Sequence, residues 1–452
     1  MSSAIPGPRG IPLLGSAPAF LRDPLGFLSA TAAEFGPVAE LRLGPRRLVL
    51  VSRAEEIEDV LVRKADAFAK SALLRNAGGN VLGRALDTLD GAEWSERIQK
   101  VAPAFRREHA ERATASAFEL ASEWARGAAL GVARRVDHDF LALCIRVELH
   151  ALLGASASHD ETLALGLALQ RGLDGWNAEV SALAPAWLPT PARRRARRAM
   201  ERVRGWVQRA IAARPACRAP ELPVDVLRRA GLDERTLCDE LTVLAILGGH
   251  QLSLALTWTV YELAGHREIC SHRSAQHDPE HLARAVDESL RLHPPFFLLV
   301  RDPVREVEIG GHPLRPGLTV ALSPWVTQRS ERYWTAPEAF RPERWTNGET
   351  NALPQFAYFP FGGGRRACIA KSMARGQLVA MLRGLLRHAR FELVPEARPV
   401  ARPAITLRVR GPLEMVVRAP DDWHQPHARR RPFPSPPRDA KMSQAWADDP
   451  QR

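Results

Sequence analysis

Phe361-Gly362-Gly363-Gly364-Arg365-Arg366-Ala367-Cys368-Ile369-Ala370 places one cysteine after three glycines and two arginines, directly before a helix predicted over 371–390. A helix N-terminus and nearby cationic side chains both lower the pKa of a thiol, which makes it a better ligand or nucleophile. The glycines allow positive φ and let the backbone approach a flat or bulky group. The segment predicts a thiolate site, and the plainer alternative is a glycine-rich turn beside a buried free cysteine.

The same segment has the pattern Phe-x-x-Gly-x-Arg-x-Cys, which resembles the haem-binding loop of the cytochrome P450 superfamily. In that family the cysteine thiolate ligates the haem iron and favours O–O cleavage. The resemblance implies that Cys368 is the axial metal ligand and that Phe361 and Gly364 belong to the cofactor-binding loop. It also implies that Arg366 contacts a haem propionate. Ala370 stands where the family usually has glycine, and alanine is the mildest change at that position.

Two earlier motifs strengthen this resemblance. Glu288 and Arg291 lie three residues apart on a predicted helix, 281–292, where their side chains can touch. Such pairs are also common on solvated helices. The family has Glu-x-x-Arg followed by Pro-Glu-Arg-aromatic, whose arginine joins the pair, and Arg344 matches that arginine. The resemblance therefore implies a structural cluster that holds the Cys368 loop, and a second arginine is reasonable because a buried ion pair is costly unless fully bonded.

Two further positions are candidates for contacts with the haem propionates. The family has Trp-x-x-x-Arg on an early helix, and Trp94 matches its tryptophan. Ile98 stands where the arginine belongs, and Arg97 lies about 100° away round the helix, so Arg97 is not expected to replace it. Arg301 matches a frequent family arginine on the strand after the Glu-x-x-Arg helix. A core role for Trp94 and a surface strand position for Arg301 are the alternatives.

The longest predicted helix, 234–263, is apolar nearly all round from Leu241 to Leu247, as expected of a helix through the centre of a domain. Its residues 248–253 resemble the family's Ala/Gly-Gly-x-Asp/Glu-Thr, in which the acid and the alcohol deliver protons to bound dioxygen. The resemblance places Gly248 and Gly249 on the catalytic side of the haem. Gln251 and Leu252 replace the acid and the alcohol, and neither exchanges a proton readily at neutral pH. The intervening His250 is expected to be a packing or polar contact rather than a relay.

This departure leaves the source of protons open. Water or a hydroxyl group on the substrate is one hypothesis. Peroxide-driven turnover, or a haem reaction such as isomerisation or dehydration, is another. A non-catalytic haem protein is the alternative from a different functional class, although the complete cysteine loop argues against it.

The resemblance implies a monooxygenase with haem b that inserts one atom of dioxygen into an apolar small molecule. Secondary-metabolite, terpenoid, steroid and fatty-acid substrates all suit such a pocket. Phe297, Leu298 and Ile405 are nominated as substrate contacts, because the family has pocket residues after the Glu-x-x-Arg helix and before the position of Thr406. No flavin or iron–sulfur module is recognisable, so electrons from NAD(P)H are expected through a ferredoxin or flavodoxin and its reductase.

The expected fold is mainly α (α+β), with a large helical lobe, a small β-rich lobe and the haem between the long helix and the cysteine loop. It is predicted to cover residues 1–420, followed by a Pro/Arg-rich disordered tail, 421–452. Residues 68–90 are predicted to form an irregular, mobile loop near a site. Five cysteines without a metal-type spacing indicate a reducing compartment. With no signal peptide or spanning segment at the N-terminus, a cytoplasmic monomer without membrane anchor is expected.

The chain carries a formal net charge of +12. No nucleic-acid-binding module is recognisable, so nucleic acid is not an expected partner. A basic face for an acidic electron donor and an arginine-rich composition without a partner both stay open. The arginine run 193–198 begins a helix predicted to reach Arg214, which either lies on a membrane surface or is solvated with one buried face.

Overall fold

The computed structural model describes residues 5–181, 190–215, 220–266, 278–346, 348–395 and 399–420. The sequence also predicts a rigid proline-rich break at 185–191, a linker at 214–222 and a surface loop at 274–278. These three segments and the predicted tail 421–452 lie wholly or partly outside the described residues.

Helices make up most of the described chain. In chain order they are α1 Ala17–Arg22, α2 Pro24–Phe35, α3 Ala54–Glu58, α4 Ala72–Leu82, α5 Gly91–Val101, α6 Arg107–Gly127, α7 Val136–Leu153, α8 His159–Ser181, α9 Pro191–Ala213, α10 Pro223–Arg229, α11 Glu234–Leu241, α12 Gly248–Gly265, α13 Pro279–Leu292, α14 Pro324–Thr327 and α15 Lys371–His388. A π-helical turn, Thr242–Leu247, joins α11 to α12, so Glu234–Gly265 is one continuous helix, called here the central helix.

The strands form one larger sheet and three small ones. They are β1 Val38–Leu43, β2 Arg46–Val51, β3 Phe68–Lys70, β4 Ala133–Arg135, β5 Leu299–Pro303, β6 Val307–Ile309, β7 His312–Leu314, β8 Thr319–Leu322, β9 Arg390–Leu393, β10 Val400–Pro403, β11 Leu407–Arg410 and β12 Glu414–Arg418. The larger sheet has the order β1-β2-β8-β5-β3, in which only the β2–β8 pair is parallel. The small sheets are β4-β12-β9 and the hairpins β10–β11 and β6–β7.

The central helix lies in the middle of the helical lobe, as the apolar pattern predicted. It packs against α7, α13 and α15, and α8 packs against α9 on the outer side. By length and composition the central helix could cross a membrane, but 83% of its most apolar window is buried inside the protein, which is typical of a core helix. A separate apolar cluster fills the β-rich lobe around β2, β8 and α3. The predicted mainly α fold with a smaller β-rich lobe is therefore confirmed.

The prediction of an irregular loop at 68–90 was wrong over residues 68–82. Residues 68–70 form β3, and α4 follows although its sequence contains Gly78, Gly79 and two asparagines. Tertiary packing explains the helix, because Ala77, Val81 and Leu82 are buried against neighbouring helices. A β-carbon on Gly78 would lie 2.9 Å from the ring of Trp176, so the glycine allows α4 to approach α8 closely.

The arginine-rich helix α9 has one buried face and one cationic face. Ala196, Met200, Val203 and Val207 are buried, whereas the arginines of the run 193–198 are partly or fully exposed. This arrangement agrees with the solvated-helix alternative.

Candidate active site

The Cys368 loop depends on glycines at positions where a side chain would collide. Gly364 has φ +65°, and a β-carbon there would lie 1.9 Å from the carbonyl oxygen of Leu61. A β-carbon on Gly363 would lie 2.2 Å from the ring of Phe356. The Cys368 N–H donates to the carbonyl oxygen of Phe361 at 2.9 Å, which closes the loop just before α15. The loop is thus packed tightly against the β-rich lobe and presents the cysteine at its end.

The thiol of Cys368 is free and exposed, yet it is surrounded by protein. Burial of the thiolate is the largest influence and raises the pKa of Cys368 to about 11, although the Ala370 N–H and Lys371 act in the opposite direction. The start of the helix acts in the expected direction, but desolvation outweighs it, so the expected net lowering of this pKa was wrong; Arg366 pairs with Asp90 instead. An accessible thiol enclosed by protein indicates that Cys368 faces internal space. A bound metal ion is what would remove its proton at neutral pH.

A cluster of three cationic side chains, Lys70, Arg301 and Arg366, lies close to this loop. Arg366 forms an ion pair with Asp90, and its guanidinium carbon lies 4.6 Å from the ring centroid of Trp94. Arg301 on β5 is the register partner of Lys70 on β3. Burial, with a smaller contribution from Arg366, lowers the pKa of Arg301 to about 10, and burial lowers that of Lys70 to about 8. Positive charge therefore exceeds negative charge here, so the cluster favours an anionic ligand.

The structure brings together Trp94, Arg301 and Arg366, which the sequence nominated, and adds Lys70 and Asp90, which it did not. No sequence pattern indicates Lys70, because only the pairing of β3 with β5 brings it beside Arg301. Arg97 takes no part in the cluster. It donates to the Glu240 carboxylate at 2.6 Å and to the Arg84 carbonyl oxygen at 3.0 Å.

The two glycines of the central helix have different surroundings. The nearest atom to a β-carbon on Gly248 would be the Val243 carbonyl oxygen at 4.0 Å, so Gly248 borders open space. A β-carbon on Gly249 would instead lie 2.8 Å from the Cα of Ile145. Gly249 thus allows α12 to pack against α7, and Gly248 leaves space beside the helix. The π turn that precedes them is a feature often found at functional sites.

The next residues of α12 carry little acid–base capacity. Both amide atoms of Gln251 are buried without a hydrogen-bond partner in the described part of the chain, and Leu252 is buried in the central core. His250 is fully buried, which lowers its pKa to about 3. Its Nε2 lies 3.4 Å from Thr406 Oγ1. His250 is therefore neutral at physiological pH and contacts the β10–β11 hairpin, in agreement with the expected packing or polar contact.

The three nominated substrate contacts lie on segments that meet near the central helix. The Leu407 N–H donates to the Pro295 carbonyl oxygen at 2.8 Å, which ties the β10–β11 hairpin to the chain after α13. Phe297 is buried, and Leu298 and Ile405 are partly buried. The His250–Thr406 contact joins the same hairpin to α12.

Glu288 is the centre of a fully buried ion cluster. Its carboxylate accepts from Arg291 Nε and Nη2 at 2.9 Å each and from Arg344 Nε at 2.9 Å. The carboxylate also accepts hydrogen bonds from Trp345 Nε1 at 3.1 Å and from the Arg341 N–H at 3.0 Å. Every face of the carboxylate is thus used, which is the condition for a buried charge to be tolerated.

Gln328 connects this cluster to the cysteine loop, and sequence reasoning missed it. Its Nε2 donates to the carbonyl oxygens of Leu290 and Arg291 at 3.1 and 2.9 Å. Its Oε1 accepts from the Phe359 N–H at 2.9 Å, two residues before Phe361. The side chain is fully buried. A lone glutamine between two motifs carries no sequence signal of this kind.

Comparison with known proteins agrees with this geometry. The model of the family described as Cytochrome P450 matches residues 5–410. The chain belongs to the cytochrome P450 family.

Relatives of this P450 cover nearly its whole length. Cyclooctatin synthase from Streptomyces melanosporofaciens is 29% identical over 90% of this chain and 94% of its own. Cyclooctat-9-en-7-ol 5-monooxygenase from the same organism is 26% identical over 86% of this chain and 89% of its own. The crystal structure of CYP175A1 from Thermus thermophilus has a TM-score of 0.76, with 28% identity over 89% of this chain and 98% of that protein. This P450 is accordingly an oxidoreductase of the monooxygenase type.

The residues of the site suit the haem that the family binds. Cys368 offers a soft ligand of the kind that haem iron accepts. Among the described residues, no three His, Cys, Asp or Glu side chains converge as a protein-only metal site. The buried Arg366 Nη1 has no partner within the described chain, and the cationic cluster around it suits propionate groups.

Proposed function

We propose that this P450 inserts one oxygen atom from dioxygen into an apolar small molecule, with Cys368 as the axial ligand of haem b. The observation that carries the proposal is the enclosed but accessible Cys368 thiol at the end of its glycine-dependent loop. Thiolate-bound haem supplies the chemistry that activates dioxygen. We further propose a cytoplasmic monomer that receives electrons from NAD(P)H through a ferredoxin or flavodoxin and its reductase.

The proposed roles of the cofactor-binding residues follow from their contacts. Arg366 and Arg301 would bind the haem propionates, with Lys70 as a third cation and Trp94 orienting Arg366 by ring stacking. Phe361 and Gly364 would shape the loop beneath Cys368. No Cys-x-x-Cys-His segment is present for covalent attachment, which favours haem b.

The substrate is proposed to be a terpenoid-like or similarly apolar compound. Phe297, Leu298 and Ile405 would offer apolar contacts to such a compound, and Gly248 leaves open space beside the central helix. The two relatives described above support a cyclic, largely hydrocarbon substrate, since one is named as a monooxygenase of cyclooctat-9-en-7-ol. Fatty acids and steroids are the other substrates to be screened.

Proton delivery is proposed to use water or a substrate hydroxyl group instead of a side-chain pair. Leu252 has no polar atom, and the Gln251 amide does not exchange protons readily. The compound in that relative's name is an alcohol, which is the chemistry that substrate assistance requires. Gly248 and Gly249 would leave the helix close to the oxygen site without contributing a proton.

The test compares product formed per NAD(P)H consumed in the wild type and in Gln251→Glu/Leu252→Thr, with substrates chosen by Soret shift and products identified by mass spectrometry. Substrate assistance predicts good coupling in the wild type with an alcohol substrate and poorer coupling with its deoxy analogue. Poor coupling in both proteins, with no improvement in the double variant, would contradict it.

Peroxide-driven turnover is the second candidate, favoured by the same Gln251 and Leu252 observation. It predicts product with hydrogen peroxide and none with any electron-donor pair. An isomerase or dehydratase would form product with neither dioxygen nor peroxide. A protein that shows a Soret shift and no product under all these conditions would be a non-catalytic haem protein.

A further inference from the structure

Two adjacent carboxylates, Asp239 and Glu240, lie at the end of α11, just before the π turn of the central helix. Their side chains are 8% and 0% exposed. Burial raises the pKa of Glu240 above its ordinary value, although Arg97 and the Leu86 N–H counter this effect. A buried pair of neighbouring carboxylates is costly in the absence of specific partners. The hydrogen-bond partners of the two carboxylates therefore indicate their structural role.

Each carboxylate binds one arginine and one backbone N–H. Asp239 accepts from Arg204 Nε of α9 and from the Arg84 N–H, both at 3.0 Å. Glu240 accepts from Arg97 Nη1 of α5 at 2.6 Å and from the Leu86 N–H at 3.2 Å. The acidic pair thus joins α9 and α5 to the loop of residues 83–90, called here the edge loop.

The two arginines also bind the backbone around the edge loop. Arg204 Nη2 donates to the Val81 carbonyl oxygen at 2.9 Å, and Arg97 Nη1 donates to that of Arg84 at 3.0 Å. Gly83 has φ +79°, and a β-carbon there would lie 2.2 Å from the Asp239 carboxylate. Only glycine therefore fits at position 83, where the edge loop begins against Asp239.

The far end of the edge loop reaches the cationic cluster. Asp90 binds Arg366 and accepts from the Lys70 N–H at 2.6 Å. Lys70 Nζ donates to the carbonyl oxygens of Leu86 and Asp87, at 2.7 and 3.1 Å. The edge loop is thus bound to the acidic pair at one end and to the proposed propionate-binding residues at the other.

We propose that Asp239 and Glu240 are positioning residues for the cofactor. They fix the edge loop, and through it they place the Asp90 carboxylate that orients Arg366. This role explains Arg97, whose place one residue before the family's usual arginine directs it to Glu240 instead of to the haem. The central helix, which would border the oxygen side of the haem, would therefore also set the contacts at the haem edge. The inference rests on haem as the cofactor and is independent of the substrate and of the oxidant.

The test measures transfer of haem from the purified holoenzyme to excess apomyoglobin, together with the reduction potential. For Asp239→Asn/Glu240→Gln we expect transfer about tenfold faster, because buried donors lose their charged acceptors and the edge loop loosens. The reduction potential should fall, since Arg366 is held less firmly beside the haem. The carbon-monoxide band near 450 nm should persist, because Cys368 is untouched.

Asp225→Asn is the matched control. The Asp225 carboxylate is 8% exposed, pairs with Arg214 and accepts the Leu222 N–H at 3.0 Å, so it has the same chemistry away from the edge loop. We expect Asp225→Asn to lose about as much stability as the double variant does. Its rate of haem transfer should nevertheless stay within about twofold of the wild-type rate. Equal acceleration in Asp225→Asn and in the double variant would overturn the proposal.

Arg97→Met and Arg97→Lys provide a second test in case the double variant does not fold. The methionine variant keeps both carboxylates and their backbone contacts but removes the guanidinium that pairs with Glu240. It should therefore speed haem transfer severalfold. The lysine variant keeps that charge and should restore most of the wild-type rate. Unchanged transfer in Arg97→Met would also overturn the proposal. Absence of the 450 nm band in the wild type, by contrast, would contradict the proposed function itself.

Discussion

Gly364 shows how a single backbone position controls the cysteine loop. Its positive φ and the nearby Leu61 carbonyl oxygen exclude any β-carbon, so this glycine has two independent reasons to be required. The sequence identified Gly364 through its motif. The contact with Leu61, which lies in the π turn Asp59–Arg63 of the β-rich lobe, appears only in the folded chain.

Gly364→Ala should destabilise the protein by at least about 3 kcal/mol and lower its haem content, since strain and collision add. The measurements are urea unfolding and the ratio of Soret to protein absorbance. Gly411→Ala is the control, because Gly411 has φ +77° but no atom within 4 Å of the added β-carbon. It should cost about 1 kcal/mol and retain haem. Similar losses in both variants would contradict the role of the Leu61 contact.

His250 predicts a pH dependence of stability. Its pKa falls from an ordinary 6.5 to about 3 in the folded protein, mainly through burial. Because the unfolded chain binds the proton more readily, stability is lost as the pH drops below 6.5 and continues to fall towards 3. Between pH 7.5 and 5.5 the wild type should lose about 1.4 kcal/mol more than His250→Gln in urea unfolding. The exposed His150→Gln should follow the wild type, and a His250→Gln profile parallel to the wild type would contradict the prediction.

At the scale of elements, local motifs were predictable and tertiary contacts were not. The spacing of Glu288 and Arg291 is enough to place them on one helix face, so their pairing follows from the sequence. Gln328 and Lys70 join their clusters through packing and strand register, which no local pattern encodes. The α4 helix was missed because its glycines and asparagines disfavour helix in isolation. The thiol pKa of Cys368 was predicted in the wrong direction because burial cannot be read from the loop's composition.

The Glu288 cluster joins α13 to the segment around Arg344 and, through Gln328, to the cysteine loop. Glu288→Gln should cost about 3–5 kcal/mol, since it leaves two buried arginines without their shared counter-charge. Haem content should fall with it, as the loop before Cys368 loosens. Urea unfolding and Soret absorbance measure both effects.

Glu280→Gln, on the same helix with its side chain 88% exposed, is the control and should change stability by less than about 0.5 kcal/mol. A Glu288→Gln protein as stable as this control would show that the cluster does not hold the loop.

At the scale of the whole molecule, the two lobes and the central helix followed from the sequence because the apolar pattern and the family motifs agree. The net charge of +12 does not by itself define a docking face, because arginines are spread along the chain and include those on the exposed face of α9. Electron transfer can decide between a docking face and a charge without a partner, because attraction between opposite charges is screened by salt.

Reduction by an acidic ferredoxin should slow about tenfold or more between low and high ionic strength if a basic face steers the encounter. The measurement is the rate of formation of the carbon-monoxide complex after mixing with reduced ferredoxin, at several salt concentrations. Reduction by dithionite is the control for effects of salt on the haem itself. A rate with ferredoxin that is independent of salt would favour the arginine-rich composition without a docking role.

The proposed sulfur–iron bond at Cys368 is tested most directly by the absorption spectrum of the purified, reduced, carbon-monoxide-treated protein. The account predicts a band near 450 nm in the wild type and its loss in Cys368→Ala, with Cys238→Ala retaining the band. A wild type without that band, or a Cys368→Ala protein that keeps it, would contradict the account.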